Sequence, residues 1–151
     1  MEGEKLARFN EWWATGKVKP TLLMPHKRPL FFNIQSYFSE RQILLITGLR
    51  RVGKTMLMYQ LIQDLLDKKT DRFHIIYFSF DEEVSDFDDF VKAYEEKTLK
   101  KKIGDEKIFF FLDEVQKLKD WQNKIKVYYD LHPNLKFIIS GSASVQLGRK
   151  A

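Results

Sequence analysis

Apolar positions along the chain change rhythm near residue 42. Before that point, Leu6, Phe9 and Trp13 recur at i, i+3 and i+7, which predicts one short amphipathic helix ending near Gly16. An irregular stretch punctuated by Pro20, Pro25 and Pro29 follows, incompatible with a continuous helix or a central strand. From Gln42 the pattern is Ile43-Leu44-Leu45-Ile46, a continuous apolar run expected of a strand buried on both faces. A glycine-rich turn leads into a helix whose apolar face carries Leu57, Leu61, Ile62, Leu65 and Leu66. Second, third and fourth strands are predicted over His74–Phe80, Ile108–Leu112 and Lys136–Ser140. Between them, Ser85 with Asp88 reads as a capping-box start for a helix burying Phe87, Phe90, Val91 and Tyr94. Asp120 is placed to cap a further helix with Trp121, Ile125 and Tyr128 on one face, ending before Pro133. Strands alternating with amphipathic helices predict an α/β protein, a parallel sheet covered by helices on both faces.

Composition narrows the class. A chain of 151 residues with 44% apolar and 15% aromatic content is one domain with a real core, not a disordered segment. The expected division is residues 1–40 as an N-terminal helix and irregular lead-in, and residues 41–151 as the core. The absence of cysteine excludes a disulfide framework and thiolate metal sites, and fits a cytoplasmic location. Neither a secretory signal nor a membrane-spanning run is visible. The net charge of +5 is spread along the chain, with one tight basic run at Lys100-Lys101-Lys102. That run reads as a solvated helix end; a nucleic-acid contact there is the alternative.

The chemistry concentrates in three places. Gly48-Leu49-Arg50-Arg51-Val52-Gly53-Lys54-Thr55 matches G-x-x-x-x-G-K-[ST] at every fixed position, between a buried strand and an amphipathic helix. Glycines allow backbone N–H groups to curl around phosphate oxygens, and a helix starting near Gly53 aims its positive end at the same anion. Lys54 would carry charge to the β- and γ-phosphates, and the Thr55 hydroxyl is a hard ligand for Mg²⁺. The nucleotide-binding set is therefore Gly48, Arg51, Val52, Gly53, Lys54, Thr55 and Met56. Second, Ile108-Phe109-Phe110-Phe111-Leu112-Asp113-Glu114 is a strand delivering two carboxylates to the edge where parallel sheets bind ligands. Asp113 would hold Mg²⁺ through water, and Glu114 would polarise the water attacking the γ-phosphate. Third, Ser140-Gly141-Ser142-Ala143-Ser144 ends the fourth strand, where Ser140 or Ser142 would contact the γ-phosphate or the attacking water.

G-L-R-R-V-G-K-T after LLIT, F-L-D-E-V-Q and I-S-G-S-A-S together resemble the AAA+ superfamily. Within it they are similar to archaeal and bacterial predicted ATPases that join such a module to a C-terminal accessory domain. The likeness runs from about Gln42 to Leu147, and the paired Arg50-Arg51 is its most particular mark. It implies a three-layer P-loop sandwich with strand order 5-1-4-3-2, Lys54 and Thr55 on nucleotide and metal, and Walker-B roles for Asp113 and Glu114. It further implies Ser140 as sensor, with the Lys27–Ile34 segment as a base pocket. Only four of the five strands are visible, and the chain stops at Gly148-Arg149-Lys150-Ala151, so a fragment of a longer protein is expected. Arg149 is then a candidate finger for a neighbouring nucleotide in a homo-oligomer.

The implied activity is hydrolysis of Mg-ATP, slow in isolation, driving or gating a partner protein or the missing domain. A nucleotide-gated module without hydrolysis is the rival; a small-molecule kinase lacks its basic lid here, and DNA handling has no specific signal. The acids Asp81, Glu82, Glu83, Asp86, Asp88 and Asp89 lack calcium-loop spacing and fit the start of a helix. His26, His74 and His132 share no ligand spacing. Trp12 and Trp13 would pack on the core or, alternatively, face a partner.

Overall fold

All four strands lie side by side and parallel, in the order β1-β4-β3-β2, in the computed structural model. It describes residues 3–40, 42–47, 51–84 and 86–141, without the side chains of residues 51 and 52. The strands are β1 (Ile43–Ile46), β2 (Ile75–Ser79), β3 (Ile108–Asp113) and β4 (Leu135–Ser140). This is the order that the AAA+ resemblance implies for strands one to four.

Why the strands read as unbroken apolar runs is visible in β3. Ile108, Phe110 and Leu112 face one core, which contains Phe87, Phe90 and Tyr94 of α5 (Phe87–Tyr94) and Trp121 and Ile125 of α6 (Trp121–Leu131). Phe109 and Phe111 face the other, built with Leu57, Leu61 and Ile62 of α4 (Arg51–Asp67) and Phe31 and Ile34 of α3 (Pro29–Gln35). Both faces are covered, so alternation between polar and apolar residues is lost and continuous hydrophobicity remains. Phe110 and Phe137 stack at 5.1 Å between ring centres in the first core. Helices on both faces make this a three-layer α/β sandwich, as the sequence pattern predicts.

The predicted single N-terminal helix is two: α1 (Gly3–Phe9) and α2 (Trp12–Thr15). Asn10 interrupts them because its side chain is committed to the sheet. Its amide nitrogen donates to Leu6 O at 2.8 Å and to Tyr77 O at 2.9 Å, and its amide oxygen accepts from Tyr77 N at 2.6 Å. The stop near Gly16 is as expected, with that residue in the left-handed region at φ 82°. Trp12 and Trp13 both donate their indole N–H to Ile75 O, at 3.0 and 2.9 Å. They pack on the fold, and the partner-surface alternative for them falls away.

Three other local expectations need correction. Pro29 does not prolong an irregular stretch but opens α3, at a first-turn position where its missing N–H costs nothing. The end of that stretch is pinned by Gln60 of α4, which donates to Met24 O at 2.9 Å and His26 O at 3.0 Å. The helix after the phosphate loop begins at Arg51, so Gly53 lies within its first turn instead of opening it. Asp120 precedes α6 but caps no backbone N–H; it sits at φ 57° and its carboxylate accepts from Asn123 Nδ2 at 2.8 Å. Ser85, the expected cap of α5, lies outside the described residues. Its expected capping-box partner, Asp88, accepts the Tyr128 hydroxyl on its carboxylate at 2.5 Å.

At the opposite end of the sheet from the carboxylates, Lys136 of β4 is 3% exposed and donates to Tyr37 O and Glu40 O at 2.9 and 2.5 Å. Beside it, Lys107 donates to Phe38 O at 2.8 Å. Burial, and then the Lys107 charge, lower the Lys136 ammonium from an ordinary 10.5 to about 8. Between those values the unfolded chain holds a proton that the folded chain has released, so stability rises with pH. The Lys136 contribution is expected to add about 1.5 kcal/mol between pH 8 and about 9.5, read in urea titrations as the difference between wild type and Lys136→Met. Lys136→Met removes the titrating group, so its stability in the same window should lack that rise.

Candidate functional site

The carboxyl ends of β3 and β4 and the start of α4 meet at one edge, and five polar side chains converge there. Lys54, Asp113, Glu114 and Ser140 are buried, and Thr55 is half-buried. Thr55 Oγ1 donates to Asp113 Oδ2 at 2.6 Å, across 58 residues of sequence. Ser140 Oγ donates to Asp113 Oδ1, and the Lys54 ammonium donates to the Gly141 carbonyl. A buried carboxylate must recover in hydrogen bonds what it loses in hydration, and hydroxyl donors from three elements supply that here.

The third donor is Tyr77 of β2, whose hydroxyl lies 2.8 Å from Asp113 Oδ2. Burial, then the adjacent Asp113 charge, push its phenol well above the ordinary range, so it stays a proton donor. Sequence reasoning missed this residue. The available signal was a single hydroxyl in the otherwise apolar run Ile75-Ile76-Tyr77-Phe78, because a buried phenol needs a partner.

Glu114 follows β3 in the left-handed region, at φ 56° and ψ 45°. For a residue with a Cβ this conformation is costly and persists only where neighbours impose it. Two do. Its N–H reaches Ser140 Oγ at 3.3 Å, and its Oε1 accepts from Gln116 Nε2 at 2.7 Å. The turn thereby directs Glu114 away from the line of β3, into a buried position beside Ser140 and Asp113.

The fold thus brings together Lys54, Thr55, Asp113, Glu114 and Ser140, with Gly53 and Met56 in the first turns of α4. Arg51 and Val52 belong to the same helix. Gly48, Arg50, Ser142 and Arg149 lie outside the described residues. In the segment from Lys27 to Ile34, Phe31 and Ile34 turn into the core, while Phe32 is exposed. The acids around the start of α5 are engaged in ion pairs, Asp81 with Lys117 and Asp86 with Lys124 at 3.2 Å. Among the described residues no three His, Cys, Asp or Glu side chains are arranged to hold a metal, and no helix is long and apolar enough to cross a membrane.

A parallel sheet in the order β1-β4-β3-β2, with this constellation at its carboxyl edge, defines an AAA+-type P-loop ATPase-like domain. The sequence profile of the AAA domain matches residues 40–151, and the chain belongs to that family. It is 34% identical over 111 residues to an uncharacterized protein of Methanocaldococcus jannaschii, covering 72% of this chain and 23% of that protein. An uncharacterized protein of Haemophilus influenzae is 32% identical over 107 residues, covering 66% of this chain and 25% of its own length. The chain spans about a quarter of the length of these curated relatives. In fold it is similar to the solved structure of C. elegans PCH-2, with a TM-score of 0.51 at 16% identity, covering 92% of this chain and 43% of that one. Membership of the AAA family suggests nucleotide binding as the general class of activity.

Proposed function

We propose that this domain binds ATP as its Mg²⁺ complex and hydrolyses the β–γ phosphoanhydride bond, to drive or gate a partner or a second domain. The observation that carries the reading is the 2.6 Å bond joining Thr55 of the phosphate-loop helix to Asp113 of β3. That bond ties a hydroxyl oxygen and a carboxylate, two hard oxygen donors, together at the carboxyl edge of the sheet. One hydroxyl and one carboxylate, completed by phosphates and water, is the hard-oxygen set Mg²⁺ favours over an all-protein cage. When bound, Mg²⁺ would neutralise charge building on the β- and γ-phosphate oxygens.

The chain's own residues divide the remaining work. Lys54 exchanges the Gly141 carbonyl for phosphate oxygens, and the backbone N–H groups of residues 48–56 receive the rest of the phosphate tail. Glu114 orients a water and accepts its proton as the water oxygen bonds to the γ-phosphorus and the bond to the bridging oxygen breaks. Ser140, hydrogen-bonded to both Asp113 and the Glu114 amide, holds the two carboxylates in register and acts as sensor.

Calorimetric titration of Mg-ATP and Mg-GTP into wild type and Lys54→Ala tests the binding step. Loss of a charge-assisted contact is expected to weaken binding by about 1.5–3 kcal/mol, roughly 10- to 150-fold. Equal affinities in the two proteins would remove Lys54 from the site.

A further inference from the structure

We infer that Tyr77 is a positioning residue for the metal-side carboxylate, and that the N-terminal segment sets its place through Asn10. The inference rests on the Mg-ATP reading and extends it to residues outside the phosphate loop and the β3 carboxylates.

Tyr77 OH and Thr55 Oγ1 meet on the same atom, Asp113 Oδ2, at 2.8 and 2.6 Å. Ser140 takes Oδ1. An ionised carboxylate offers roughly four acceptor directions, so three hydroxyls leave one, on Oδ1. Without Tyr77 the carboxylate is held by Thr55 and Ser140 alone and can turn about its Cβ–Cγ bond. Groups behind a metal-binding carboxylate matter in this way because they fix which lone pair the metal shell meets.

The phenol is itself held rigidly. Its ring packs against Tyr59 of α4 at 5.0 Å and Phe9 of α1 at 5.9 Å between centres. Among the described residues β2 ends the sheet, and one side of its backbone has no neighbouring strand. Asn10 fills that place at Tyr77, donating to its carbonyl and accepting from its N–H as a partner strand would. The path from the lead-in segment to the candidate metal carboxylate is thus three residues long: Asn10, Tyr77, Asp113.

A purely structural role for the hydroxyl predicts lost stability and nothing else, which separates the two cases. Mn²⁺, a paramagnetic stand-in for Mg²⁺, is titrated into ATP-saturated wild type and Tyr77→Phe and followed by electron paramagnetic resonance. ATP affinity is measured in parallel by calorimetry in EDTA. The expected result is Mn²⁺ binding about tenfold weaker in Tyr77→Phe, with metal-free ATP affinity unchanged. Unchanged or tighter Mn²⁺ binding overturns the inference, as does equal weakening of both affinities. If wild type itself takes up no Mn²⁺ with ATP, the Mg-ATP reading fails first, and the inference falls with it. Should Tyr77→Phe not fold, the ¹³Cζ resonance of Tyr77 in ATP-bound wild type answers the same question. It is expected to shift on adding Mg²⁺, and a stationary resonance overturns the inference.

Discussion

Glu114→Gln is expected to slow ATP hydrolysis by roughly 10²–10⁴-fold while leaving nucleotide affinity close to wild type. The proposed base is one atom pair in this structure: a carboxylate on a strained turn, with Oε1 already accepting from Gln116 at 2.7 Å. Glutamine preserves size, the oxygen acceptor and the hydrogen bond from Gln116, so the turn should survive and only the ability to take a proton is lost. Single-turnover phosphate release is the appropriate readout, because P-loop NTPases without an arginine finger turn over near ~10⁻⁴ s⁻¹. Trapped, unhydrolysed nucleotide in the variant supports the enzyme reading. If the variant and wild type release phosphate equally slowly, hydrolysis does not depend on Glu114. The domain then reads as a nucleotide-gated module whose bound state does the signalling.

What could be read from sequence here was what depends on neighbours in the chain. The strand β3 announces itself because five consecutive apolar residues, Ile108 to Leu112, are demanded by burial on both faces. The phosphate-loop motif is legible because its glycines, lysine and threonine answer to one ligand at fixed spacing. Strand order came from the family resemblance, since periodicity carries no information on which strands are adjacent. The missed features all depend on contacts distant in sequence. Tyr77 reaches Asp113 across 36 residues, and Asn10 reaches Tyr77 across 67. A local reading sees Asn10 as an ordinary polar position in an amphipathic helix, when its side chain in fact ends that helix. Asp120 differs from expectation for a separate, local reason. The residue type suits a cap, but the left-handed turn it occupies points its carboxylate to Asn123 instead of the backbone.

Asn10→Ala is expected to cost about 2–5 kcal/mol of stability, several times the effect of an ordinary surface substitution. The residue is 1% exposed, so water cannot replace what it provides. Its amide satisfies three backbone groups: Leu6 O, Tyr77 O and Tyr77 N–H. Alanine leaves all three without that partner in a buried setting, at about 1–3 kcal/mol for each group that finds no substitute. Asn10→Asp separates the contributions, because aspartate can still accept from Tyr77 N–H but donates to neither carbonyl. Urea unfolding followed by tryptophan fluorescence is well suited, since Trp12 and Trp13 both bond to Ile75 on the same edge strand. A midpoint shift at constant slope would locate the loss in native-state stability. A change below about 0.5 kcal/mol would mean that the lead-in segment rests on β2 without supporting it. The expected loss has a second consequence, because an uncovered edge strand is a template for pairing with another chain. The variant should therefore aggregate in a concentration-dependent way at temperatures where wild type stays monodisperse in light scattering. Asn10, Trp12 and Trp13 thus do for β2 what a fifth strand would do on that side: they occupy its free hydrogen-bonding edge.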